Sequence, residues 1–206
     1  MENHIQDKMV ADPLKRFPTI GCCGLDCGLC PRYYTEGSSR CPGCCGPDFF
    51  KKNPGCGYIT CCVNKRNLEV CGQCTEFPCS RIVKLLAKGV YDSFLTHQKI
   101  RSNLNFIREK GLGEFIDQQE KRIKLLNKML AEFNEGRSKS FCCLSSTLLS
   151  IKGIEESIKI SRTMIEKLGI QKDDFKIRAK ILRKNLQKEA EKEKVELKLT
   201  KPPRWK

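Results

Sequence analysis

Residues 22 to 45 read CCGLDCGLCPRYYTEGSSRCPGCC and contain seven cysteines. From Cys23 the spacing is C-x3-C-x2-C, and a C-x2-C pair follows at Cys41 and Cys44. Glycine and proline fill the intervals, and no periodic apolar pattern is visible. Because a C-x2-C turn directs two sulfurs at one ion, this stretch predicts a fold organised by bound metal.

The cysteine-rich segment continues to Cys79. It adds Cys56, the neighbours Cys61 and Cys62, the C-x2-C pair Cys71 and Cys74, and Cys79 itself, so 13 of the 15 cysteines lie within residues 22–79. The total is odd, and the N-terminus lacks the apolar core of a secretory signal. These features favour a reducing, cytoplasmic location and metal thiolates over disulfides. We expect the order of residues 22–79 to depend on that metal.

Sulfur dominates the predicted ligand set, because the two histidines, His4 and His97, lie outside the segment. All-thiolate ligation selects zinc or iron–sulfur clusters. Three closely spaced cysteines with a remote fourth, and Cys-Pro at Cys30 and Cys41, favour 4Fe–4S clusters over zinc. Of two adjacent cysteines, we expect only one to bind a given site. The predicted ligands are Cys23, Cys27, Cys30, Cys41, Cys44, Cys56, Cys61 or Cys62, Cys71, Cys74 and Cys79.

The remainder of the chain is predicted to be mainly α-helical, so the fold class is a small, loop-rich metal-binding domain followed by a helical hairpin or bundle. Apolar residues at helical spacing predict five helices. They run over residues 80–88, from about Tyr91 to Gly111, from Phe115 to about Asn134, over residues 151–168, and from Asp173 or Asp174 into residues 188–194. A short strand, VELKLT, and a basic tail are expected after them.

Three divisions follow: a polar, loosely packed leader (1–21), the cysteine-rich domain (22–79) and a basic helical domain (80–206). The last holds 30 Lys and Arg against 16 Asp and Glu, which accounts for +14 of the chain's net charge of +15. A solvated Lys/Glu surface explains this excess most simply. The less favoured interpretation is a phosphate-binding face along the final helix, continued by the tail. Its residues are Lys176, Arg178, Lys180, Arg183, Lys184 and Lys188, and then Lys201, Arg204 and Lys206. No segment is apolar enough to span a membrane.

The ordered motifs CGLDCGLCP, CPGC and CxxCxxFPC resemble the cysteine-rich family catalogued as domain of unknown function 3795. The resemblance covers about residues 20–110, with Cys56, Ile59 and Cys61 or Cys62 as a further element. It implies a small prokaryotic, metal-binding protein without a settled reaction.

The motifs leave open what this metalloprotein does. The leading interpretation is a 4Fe–4S protein for electron transfer or redox sensing, with a redox protein as partner. The alternative is structural zinc, with the basic helices binding nucleic acid or a protein. The spacing of Cys23, Cys27 and Cys30 also occurs in radical S-adenosylmethionine enzymes, but the helical pattern does not predict their partial barrel, and no other catalytic arrangement is discerned.

Cys142 and Cys143 form a separate question. Packing as small buried hydrophobes is the simpler interpretation, and a remote ligand for the site begun by Cys23, Cys27 and Cys30 is the alternative.

Overall fold

The computed structural model describes residues 15–53, 55–87 and 91–202, and these residues are mainly helical. Short 3-10 turns occupy Cys27–Leu29, Gly37–Ser39 and Cys71–Gln73, and a π-helical turn covers Thr60–Asn64. The α-helices are α1 (Phe49–Lys52), α2 (Gly57–Ile59), α3 (Ser80–Leu85), α4 (Ile100–Lys110), α5 (Leu112–Phe133), α6 (Lys139–Leu148), α7 (Ile151–Lys167) and α8 (Phe175–Lys192). The predicted fold class, a loop-rich cysteine segment followed by helices, is confirmed.

Helices α5 to α8 enclose the larger core. Leu126, Met129, Phe133, Ile154 and Leu186 are essentially inaccessible to solvent there. The Ser150 side chain accepts a hydrogen bond from the Gly153 N–H at 2.9 Å and so caps the start of α7. After α7, Gly169 adopts a φ of +62° and ends the helix before α8 returns alongside it.

The cysteine segment and the helices share both cores. Leu29, between Cys27 and Cys30, is fully buried in the α5–α8 core. Ile20 and Val70 pack with Ile82 of α3 and Leu104 of α4 in a second core. The segment therefore buries a few apolar anchors despite its lack of periodicity.

A buried carboxylate also joins the two parts. Asp26 accepts hydrogen bonds from Asn103 Nδ2 of α4 at 2.8 Å and from Gln119 Nε2 of α5 at 3.0 Å. The same two amides reach the Gly24 and Thr19 carbonyls. The loop between Cys23 and Cys27 is thus fixed to the helices by polar contacts as well as by Leu29.

Helix α6 is absent from the sequence prediction. It carries Cys142 and Cys143, and residues 142–149 are all buried, so its apolar residues show no one-sided periodicity. Arg122 of α5 donates to the Ser146 and Leu149 carbonyls at 2.7 and 2.6 Å, which satisfies the end of this serine-rich helix.

Several predicted boundaries are wrong. The second predicted helix begins at Ile100 rather than near Tyr91, because Asp92 accepts the His97 N–H at 2.7 Å and holds a turn. Residues 195–200 form no strand in the part of the chain that the structure describes. They have no regular secondary structure, and the Asp92 N–H donates to the Thr200 carbonyl at 2.9 Å.

The leader is also packed more tightly than predicted, since Lys15 and Ile20 are buried. Residues 1–14, 54, 88–90 and 203–206 lie outside the described residues, and the first predicted helix, 80–88, ends earlier, at Leu85. None of the described helices combines the length and apolarity that a membrane span requires.

Candidate metal centre

Three buried thiols form the tightest group of possible metal ligands. The sulfurs of Cys22, Cys44 and Cys45 all lie within 4.8 Å of one another, and Cys22 Sγ is 3.7 Å from Cys44 Sγ. Within residues 15–53, 55–87 and 91–202, no other group of three or more Cys, His, Asp or Glu ligands is this compact. The arrangement can hold a metal ion.

Backbone contacts bring these cysteines together from distant positions. The Cys44 N–H donates to the Pro18 carbonyl at 2.8 Å, and the Cys71 N–H donates to the Cys22 carbonyl at 2.8 Å. Gly43 has a φ of +88°, and a Cβ there would lie 2.4 Å from the Pro18 oxygen. Only glycine therefore permits this close approach of the Cys41–Cys44 turn to the leader.

Both sulfurs of the adjacent pair Cys44 and Cys45 lie in one group, although the sequence predicts that only one of two adjacent cysteines binds a given site. Cys45 adopts the left-handed conformation, with a φ of 61°, so the chain reverses locally and both sulfurs enter one group. Such a backbone is uncommon for a residue other than glycine. Cys22 and Cys45 were missing from the predicted ligands, and their positions beside Cys23 and Cys44 were the available signal.

Further thiols extend the group. The thiols of Cys22 and Cys71 both interact with Cys62, and their hydrogen bonds hold the pKa of Cys62 well below that of an ordinary cysteine. Hydrogen bonds from Cys22 and Cys45 likewise lower the pKa of Cys44. Cys44 and Cys62 are thus favoured as thiolates, the form that binds metal.

A buried lysine lies beside these thiols. Lys15 is 1% exposed, and its Nζ donates to the Ile20 carbonyl at 2.6 Å. The positive charge of Lys15 adds to the lowering of the pKa at Cys44 and Cys62. This lysine belongs to the predicted leader, where sequence offers no sign of its burial.

A second group of cysteines surrounds a small cavity instead of making close sulfur contacts. Its wall contains the apolar side chains of Leu68, Phe77 and Ile82. The cysteines that line it are Cys61, Cys62, Cys71, Cys74 and Cys79. At the rim, Arg66 Nη1 donates to Cys61 Sγ at 3.2 Å, and Arg66 Nη2 pairs with Glu76 at 2.6 Å.

The other predicted ligands are dispersed around these two groups. Cys27 and Cys56 pack at the edge of the Cys22, Cys44 and Cys45 group, and burial raises the pKa of Cys23 to about 11. Cys30 is influenced electrostatically by Cys41 rather than by that group. These thiols do not join a compact ligand set among the described residues.

Cys142 and Cys143 are buried in α6, as the packing interpretation expects. Burial raises the pKa of Cys143, and the nearby Cys142 and Cys30 thiols raise it further. Cys143 therefore lies near the cysteine segment, and its role as a remote ligand stays a prediction.

Two arginines of the predicted phosphate-binding face have partners within the fold. Arg178 Nε donates to the Glu132 carbonyl at 2.9 Å, and the Arg183 guanidinium lies 4.0 Å from the centroid of the Phe141 ring. The exposed basic residues of α8 that remain are Lys176, Lys180, Lys184 and Lys188, which follow one another at helical spacing. Nucleic-acid binding stays a prediction.

The chain matches no family model, no curated protein and no solved structure. Its interpretation therefore depends on the geometry of its own thiols.

Proposed function

We propose that the chain is an iron–sulfur protein for electron transfer or redox sensing, with a 4Fe–4S cluster bound by Cys61, Cys71, Cys74 and Cys79. The convergence of these four cysteines on one small cavity carries the proposal, because a cluster is held by thiolates that surround it. When bound, a 4Fe–4S cluster accepts and donates single electrons.

The spacing of these cysteines supports the same assignment. Cys71, Cys74 and Cys79 are close in sequence, and Cys61 is the remote fourth, an arrangement typical of iron–sulfur ligation. The 3-10 turn Cys71–Gln73 brings the first two together, because the Cys74 N–H donates to the Cys71 carbonyl at 3.1 Å.

The partial solvent exposure of the four proposed ligands suits the exchange of electrons with a partner protein. All four cysteines are half-buried, whereas Cys22, Cys44 and Cys45 are buried. Val83 of α3, next to the cavity residue Ile82, is 56% exposed. This exposed apolar side chain of α3 offers contact for a redox protein.

Arg66 is suited to tune such a centre. Its guanidinium donates to Cys61 Sγ, and hydrogen bonds and positive charge at cluster sulfurs raise the reduction potential. The apolar wall of Leu68, Phe77 and Ile82 limits the access of water to the same thiolates.

Protein purified without oxygen tests the proposal. We expect a brown protein with four irons per chain, whose broad visible absorption bleaches on reduction. Cys74→Ser should remove the iron, whereas Cys142→Ser, a buried cysteine of α6, should retain it. A wild-type protein without iron after anaerobic purification and cluster reconstitution would refute the assignment.

A further inference from the structure

The distance between two sulfurs in the buried group of Cys22, Cys44 and Cys45 fits zinc better than an iron–sulfur cluster. Two thiolates that bind one tetrahedral Zn²⁺ at about 2.3 Å lie about 3.8 Å apart. Cys22 Sγ and Cys44 Sγ are separated by 3.7 Å, and Cys45 Sγ lies within 4.8 Å of both. In a 4Fe–4S cluster each cysteine binds a different iron, so the sulfurs stand farther apart.

Cys62 is placed to provide the fourth ligand. It is 2% exposed and packs in the same buried cluster as Cys22, Cys44 and Cys45. The π-helical turn Thr60–Asn64 carries it, and its thiol donates to the Leu68 carbonyl at 3.3 Å. Cys61 of the same turn borders the cavity beside Arg66, and Cys62 lies between that cavity and the buried cluster.

The surrounding charge fits an anionic centre. Four thiolates around Zn²⁺ carry a net charge of −2, and buried charges require compensation. Lys15 is fully buried, and its positive charge acts on the thiols of Cys22, Cys44 and Cys62. Among the residues that the structure describes, its ammonium group is not paired with a carboxylate, and it donates to the Ile20 carbonyl.

We propose that Cys22, Cys44, Cys45 and Cys62 bind a single structural Zn²⁺, with Lys15 as the buried counter-charge. Binding forms four Zn–S bonds and passes the thiol protons to solvent, with no change of oxidation state. This site shares no ligand with the iron–sulfur centre, although Cys62 also borders the cavity of that centre. Its role is to join the leader, the Cys41–Cys44 turn and the π-helical turn.

Elemental analysis of the full-length chain separates the two centres. We expect one zinc per wild-type chain. Cys22→Ser and Cys45→Ser should lose zinc and keep iron, whereas Cys74→Ser should lose iron and keep zinc. Zinc that persists in both Cys22→Ser and Cys45→Ser would overturn the zinc site, whereas a wild-type chain that held zinc but no iron would overturn only the iron–sulfur assignment.

The zinc environment can be measured without any variant, in case the serine variants do not fold. X-ray absorption at the zinc edge of the wild-type protein should show four sulfurs at about 2.3 Å. A first shell that contains nitrogen or oxygen would refute the four-cysteine site.

Lys15→Met tests the counter-charge. It should raise the zinc dissociation constant roughly 100-fold, because it leaves a buried charge uncompensated. Lys121→Met, on the exposed face of α5, is the control and should leave zinc affinity unchanged. Equal affinity for Lys15→Met and the wild type would contradict the role of Lys15.

Discussion

Replacement of Gly43 by alanine tests how closely the Cys41–Cys44 turn must approach the leader. The new Cβ would lie 2.4 Å from the Pro18 oxygen, a backbone atom that also accepts the Cys44 N–H. A side chain at positive φ costs about 1–2 kcal/mol, and overpacking adds about 1–3 kcal/mol. We therefore expect Gly43→Ala to destabilise the fold by about 2–5 kcal/mol.

Gly37→Ala provides a matched control. Gly37 also has a positive φ, +72°, but no atom lies within 4 Å of its added Cβ. The Gly37→Ala variant should lose only the part of the unfolding free energy that comes from the positive φ, about 1–2 kcal/mol. Urea unfolding of the metal-loaded proteins measures both free energies, and metal content reports whether Cys44 stays in place. If Gly43→Ala loses no more stability than Gly37→Ala, the contact with Pro18 does not restrict this turn.

Three further predictions concern other parts of the molecule. Asp26→Ala removes the acceptor of two buried amide donors and should cost about 1–3 kcal/mol in urea unfolding, whereas the exposed Asp117→Ala should cost under about 0.5 kcal/mol. Burial raises the pKa of Asp26. The contribution of Asp26 to the free energy of folding is therefore greatest at a pH below the ordinary pKa of aspartate, and it declines as the pH rises through the raised pKa. A pH series in which the effect of Asp26→Ala grew with pH would contradict this sign. Burial raises the pKa of Cys142 to about 12, so neither Cys142 nor Cys143 should react with iodoacetamide in the native protein at neutral pH, and mass spectrometry that found rapid labelling would show that α6 is accessible. Arg66→Met should lower the reduction potential of the iron–sulfur centre in voltammetry, and an unchanged potential would exclude Arg66 as a tuning residue.

Periodicity was sufficient to locate the long helices α5, α7 and α8, because each buries one face and exposes the other. It failed for α6, whose residues from Cys142 onward are buried on all sides. It also failed at Asp92, where side-chain hydrogen bonds to the backbone replace a helical turn and a strand. These contacts join residues that are far apart in sequence and leave no local pattern.

The sequence predicted that cysteines form the candidate site, but it did not predict which cysteines lie together. Spacing identified the C-x2-C pair Cys71 and Cys74, which does border one cavity. It could not identify Cys22 and Cys45 as partners of Cys44, because the left-handed backbone at Cys45 and the approach of the leader are tertiary features. Lys15 was missed for the same reason, since an isolated lysine near a chain end ordinarily predicts a solvated surface.

The contact between Asp26 and Gln119 imposes an order on assembly during translation. The two residues are 93 positions apart, and at about 5–20 residues per second the ribosome needs roughly 5–20 s to synthesise the intervening chain. Until Gln119 is synthesised, the nascent cysteine segment lacks the part of α5 on which Asp26 and Leu29 pack. Its thiols are then open to oxidation or to capture of the wrong ion, so timely delivery of metal would matter most before α5 is complete.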